Sequence, residues 1–149
     1  MDYEQLLIDP GEAGVFARPA DAAALDAAAE HAGFTRWTVD LAGVHTKEAL
    51  LATLAERLEF PEWFGANWDA LNDVLAERAW EQSKGVMLTL ERCGDLAHAD
   101  PDAFETALEV LDSVAESCYD EDIPFWVFVD GVDADAFDLP VLGKDEDEG

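Results

Sequence analysis

Asp69, Asp73 and Glu77 fall at i, i+4 and i+8. If residues 67–77 form a helix, Leu71, Val74 and Leu75 share the side that must face a core. Asp69 and Asp73 then lie almost opposite them, one turn apart, with Asn72 and Ala76 beside that line and Glu77 continuing it. Between Pro61 and Leu75 there is no Lys or Arg, and Trp63 and Phe64 stand just before the row, around Gly65. Like charges one turn apart destabilise a helix by about 0.2–0.5 kcal/mol per pair. Carboxylates without a local cation, rimmed by aromatics at a turn where small polar residues are usual, suit a surface that meets a basic protein. A solvated acidic face gives the same spacing. In so acidic a chain, a row of this kind is expected by chance about once or twice. The aromatics also fit core anchoring, and Trp68, on the flank of the apolar side, is assigned to the core.

Three other groupings could carry chemistry. Cys93 and His98 have the side chains of a thiol nucleophile and its base, but no third group orients them, and cysteines beside strands usually fill a core. DGVDADAFD, residues 130–138, is rich in carboxylates but lacks the glycine position and terminal glutamate of a helix–loop–helix calcium site. His31 and His45 have no partner at metal-ligand spacing. No catalytic residue, metal or cofactor is therefore assigned.

Composition narrows the partner. Acidic residues number 35 against 8 Lys and Arg, for a net charge of −27. Nucleic acid and anionic membranes would be repelled, which leaves a basic protein, and the same charge is compatible with adaptation to salt or with mimicry of nucleic acid. The chain has 149 residues, 50% of them hydrophobic, enough for one domain with a substantial core. Two cysteines are too few for a disulfide framework and read as free thiols in a reducing cytosol. The first residues lack a basic n-region and a long apolar run, and no stretch approaches the roughly 20 apolar residues of a membrane helix. A cytoplasmic protein, monomeric when free, is expected.

The elements that must position the acidic row follow from local signals. Residues 21–32 are alanine-rich, carry an Asp near the start and stop at Gly33, as a helix does. FTRWTVDL, 34–41, reads as a strand. Thr46 is an N-cap for an amphipathic helix over 47–58, which Phe60-Pro61 ends. Gly65 permits a turn, and Asn67 caps a helix to about Glu77. GVMLTL, 85–90, is a buried strand, and Asp100-Pro101 starts a helix to about residue 117. IPFWVFVD, 123–130, is the last strand. Alternating strands and helices imply α/β architecture, a small, mostly parallel sheet flanked by helices. Three strands are expected, with GVFAR, 14–18, a possible fourth at an edge.

The run P-E-aromatic-aromatic-G-x-N-x-D-A-L-x-D, here Pro61, Glu62, Trp63, Phe64, Gly65, Asn67, Asp69, Ala70, Leu71 and Asp73, resembles the barstar family of intracellular inhibitors of secreted bacterial ribonucleases. The element order over residues 34–130 is also similar. The resemblance implies a barstar-like fold, a three-stranded parallel sheet with flanking helices, and an inhibitor that plugs the active site of a basic bacterial ribonuclease. It would place Asp73 where an RNA phosphate sits among the enzyme's Arg, Lys and His side chains. Asp69 would bind basic and backbone groups nearby, and Trp63 would pack near the catalytic histidine. Gly65, Asn67 and Asn72 join that contact surface, and Glu105 aligns with a further acidic contact. Asn72 stands where the type member has an interface tryptophan, and Trp63 replaces a tyrosine, so a different ribonuclease toxin or another basic protein remains open as the target. The resemblance divides the chain into an N-terminal extension (1–33, an edge strand and an alanine-rich helix), a barstar-like domain (34–143) and an acidic tail (144–149).

Overall fold

A computed structural model describes residues 3–62, 64–82 and 84–142; Trp63 and the tail 144–149, both named above, lie outside the described residues. In chain order the elements are α1 (Tyr3–Leu7), β1 (Val15–Ala17), α2 (Ala22–His31), β2 (Thr35–Asp40), α3 (Lys47–Arg57), α4 (Trp68–Trp80), β3 (Val86–Glu91), α5 (Gly94–Ala99), α6 (Pro101–Asp120) and β4 (Phe125–Val129). Single 3-10 turns occur at Pro10–Glu12 and Asp135–Phe137.

The strands form one parallel sheet in the order β1-β4-β3-β2, so the edge segment is a true fourth strand. Central β3 and β4 are apolar at nearly every position because both of their faces are covered. One face carries Val39, Val86, Leu88, Leu90, Phe125, Val127 and Val129 beneath α3, α4, α5 and α6. The other carries Met87, Trp126 and Phe128 beneath α1 and α2, through Tyr3, Leu7, Leu25 and Ala29. Trp126 Nε1 donates to the Leu7 carbonyl at 2.9 Å, so a buried indole N–H finds its acceptor in the N-terminal segment.

Local chemistry explains most boundaries. Thr46 accepts from the Ala49 N–H at 3.0 Å, and Asp100 from the Ala103 N–H at 3.1 Å, with Pro101 in the first turn. Gly33, at φ 81°, closes α2 while Phe34 N–H reaches back to the Ala29 carbonyl at 3.0 Å. Asp21 precedes α2 but does not cap it: its carboxylate accepts the Tyr3 hydroxyl at 2.6 Å, and burial together with that carboxylate pushes the phenol up to about 12.

Two helices run past their expected ends, α4 and α6, the latter to Asp120 rather than about residue 117. α4 runs on to Trp80, because Ala79 reaches the core and nothing in residues 78–80 breaks a helix. The helices Tyr3–Leu7 and Gly94–Ala99 were not anticipated; segments of five or six residues are too short to show a helical period. Among the described residues no helix is long and apolar enough to cross a membrane.

Candidate functional site

α4 is held at both ends and along its inner side. Asn67 accepts from the Ala70 N–H at 2.8 Å, so the predicted cap is made. Its Nδ2 also donates to the Gly65 carbonyl at 3.4 Å, closing the preceding turn. The turn itself differs from the expectation that Gly65 permits it through its conformational freedom. The left-handed residue of the turn is Ala66, at φ 49°, and Gly65 has no positive φ. What Gly65 supplies is room: a Cβ there would come within 3.1 Å of Asn67 Nδ2, crowding the side chain that caps the helix. At the far end Arg78 hydrogen-bonds the Glu59 carbonyl, tying α4 to the left-handed residue that ends α3.

The inner side buries Leu71, Val74, Leu75 and Ala79. Phe64 is half-buried and packs edge-on against Phe60 with ring centroids 5.0 Å apart, so this motif aromatic anchors the turn to the core. Trp68 is likewise half-buried, with Lys47 Nζ 5.3 Å from its ring centroid. Asp69, Asp73 and Glu77 are exposed along the opposite side, as their spacing predicts. Ala76 departs from that pattern and is only 5% exposed.

The flank of α4 packs on α6, and the two helices leave a shallow groove lined by Trp68, Asp69, Asn72, Thr106, Glu109, Val110 and Ser113. Asp69 and Asn72 therefore share a site with α6. Asn72 Oδ1 is buried there and has no hydrogen-bond partner among the described residues. Glu105 is exposed on the first turns of α6 but does not line the groove; Glu109, one turn further along, does. Glu109 was missed because its nearness to Asp69 depends on how two helices cross. The only trace of it in the sequence is its i, i+4 relation to Glu105.

Electrostatics separates the outer face of α4 from the acids beside arginines at the ends of the strands. Among the described residues neither Asp69, Asp73 nor Glu77 forms an ion pair, whereas Arg18, Arg36 and Arg92 pair with Asp26 and Asp130, Glu30, and Asp40. The alternatives fare differently. Cys93 is buried, bonds the Leu90 carbonyl at 3.4 Å and has its thiol pushed up to about 12 by burial, the opposite of an activated nucleophile. Residues 130–138 form a turn in which Asp133 accepts the Asp135 N–H at 3.0 Å. Among the described residues no group of three or more His, Cys, Asp or Glu side chains is placed to hold a metal ion.

A comparison with curated proteins finds no match. The profile of one family, Barstar (barnase inhibitor), matches residues 34–130, which span β2 to the end of β4 and include all of α4. With well over half of the chain matched and the α/β fold in agreement, this protein belongs to the Barstar (barnase inhibitor) family.

Proposed function

We infer that the chain is an inhibitor that blocks the active site of a basic bacterial ribonuclease, as an immunity protein or antitoxin would, with the outer face of α4 as the blocking surface. One observation carries this reading. Asp69 and Asp73 stand exposed on a helix fixed at both ends and form no ion pair among the described residues, in a chain whose paired arginines are engaged elsewhere. An enzyme that binds a polyanion presents a positive cleft, and carboxylates at fixed spacing can take the place of phosphates in it. Asp73 enters that cleft, Asp69 and Asn72 engage its rim, and Asn67 and Gly65 set the angle of entry. Trp63 packs near the enzyme's catalytic histidine, and Glu105 adds a further acidic contact. The inhibitor itself performs no chemistry.

Opposite potentials also hasten encounter, which matters where free enzyme would degrade the cell's RNA. The barnase–barstar pair is itself a standard example of such steering. The change of residue at Asn72, which lines the groove between α4 and α6, supports a second reading, in which the target is another basic protein. In the type member a tryptophan fills this position, and an amide accepts a hydrogen bond that an indole cannot.

The test is a titration of barnase with this protein, following RNA cleavage at low and high salt. Stoichiometric inhibition is expected, weakened by salt far more than the protein's stability is. Absence of inhibition at both salt concentrations, or full inhibition by Asp73→Ala, overturns the reading.

A further inference from the structure

Three large hydrophobic residues are exposed among those described: Ile8, Trp80 and Tyr119. Trp80 is the last residue of α4, beyond the motif, and is 47% exposed. Its indole forms no hydrogen bond or ring contact with the other described residues. It follows Asp73 by seven residues and Asp69 by eleven. At about 100° per residue its direction therefore falls within about 20° of both. At a rise of about 1.5 Å per residue it lies roughly 10 Å beyond Asp73 and 16 Å beyond Asp69. A standard interface covers about 800 Å² on each partner, a patch roughly 30 Å across, so all three residues fit within one.

The surroundings specify what such a ring would meet. Helical side chains incline over the preceding turn, which here carries Ala76 and the exposed Glu77, with Asp73 one turn further back. Glu81, also exposed, follows immediately. An indole face edged by carboxylates attracts a cation twice, through the ring and through the neighbouring charges. Pairing with a second copy of the chain would instead bring two net charges of −27 together.

We propose that Trp80 is a docking anchor that stacks on an Arg or Lys side chain of the basic protein engaged by Asp69 and Asp73, at the rim of that protein's positive cleft. The proposal rests on the inhibitor reading above and extends its surface by nearly two turns of α4.

The experiment measures dissociation from immobilised barnase for the wild-type chain, Trp80→Ala, Trp80→Phe and Asp73→Ala, with the Tm and sedimentation of each. Trp80→Ala is expected to dissociate about tenfold faster or more, with Tm and monomeric state unchanged, because a truncated interface anchor acts mainly on the off-rate. Trp80→Phe should recover most of the loss. If Trp80→Ala dissociates within about twofold of wild type while Asp73→Ala is sharply weakened, the anchor is wrong and the inhibitor reading stands. If the wild-type chain does not bind, or Asp73→Ala binds as well as wild type, the reading fails and the anchor with it. A change in sedimentation caused by Trp80→Ala would assign the ring to self-association and overturn the proposal.

Discussion

At the carboxyl ends of the strands, acids stand beside guanidinium groups. Arg92 bonds Asp40 through Nε at 3.0 Å and through its terminal nitrogen; Arg18 lies 2.9 Å from Asp26 and 3.8 Å from Asp130. Asp130 also accepts the Arg92 N–H at 2.7 Å, where the chain takes a left-handed turn at φ 53°. On the outer face of α4, Asp69, Asp73 and Glu77 have no such partner among the described residues. The first group joins segments far apart in sequence and serves the fold. The second tolerates its own repulsion, which makes sense if relief comes from another molecule. Charge count alone would not separate the two, since both regions are acidic. Satisfaction of each carboxylate does.

The contrast can be broken most decisively at Asp73. Asp73→Ala should weaken the complex with barnase by about 3 kcal/mol or more, the usual loss when one member of a desolvated charge pair is removed. Its Tm should stay within a degree or two of wild type. A large fall in Tm with unchanged binding would reverse the roles of the two regions.

Asp130→Ala should do the opposite. It removes the acceptor of the Arg92 N–H and one carboxylate facing Arg18. A loss of about 1–2 kcal/mol in urea unfolding is expected, with binding unaltered.

A smaller effect, of opposite sign, is expected on the α4 face. Asp73→Asn should raise stability by a few tenths of a kcal/mol by relieving repulsion from Asp69 and Glu77, while weakening the complex. Thermal melts at low salt should detect it, and the gain should shrink as salt rises.

Titration with acid sharpens the same comparison. The Ala42 N–H and the Arg92 guanidinium hold the Asp40 carboxyl below the usual carboxylate range. Folded Asp40 thus binds its proton more weakly than unfolded Asp40. Its contribution to stability is present above the unfolded value, near 3.9, and is lost as pH falls through the lower folded value. Asp40→Asn should make the acid limb of the stability curve shallower, as measured by urea unfolding across that range.

Much of this was legible in the residues. The caps at Thr46, Asn67 and Asp100, the apolar runs of β3 and β4, and the period of α3 and α6 are local signals, and each element formed where its signal lay. The motif from Pro61 to Asp73 marked the family, and the helical period placed Asp69 and Asp73 on one exposed line. Where the sequence reading erred, it asked a local signal to settle a matter of packing. Gly65 was expected to permit the turn through its conformational freedom, yet Ala66 took the left-handed conformation while Gly65 made room for the Asn67 side chain.

The sequence by itself determined the order and type of most elements and the direction each α4 side chain faces, because helical and strand periods are properties of adjacent residues. Tertiary structure alone decided which acids found partners. Arg92 meets Asp40 and Arg18 meets Asp130 only because β1, β4, β3 and β2 lie side by side in that order. It also set α1 and α2 over Met87, Trp126 and Phe128, and brought Glu109 beside Asp69 and Asn72. Contacts between residues distant along the chain carry no local period, so they emerge only when the apolar faces of separate elements are buried against one another.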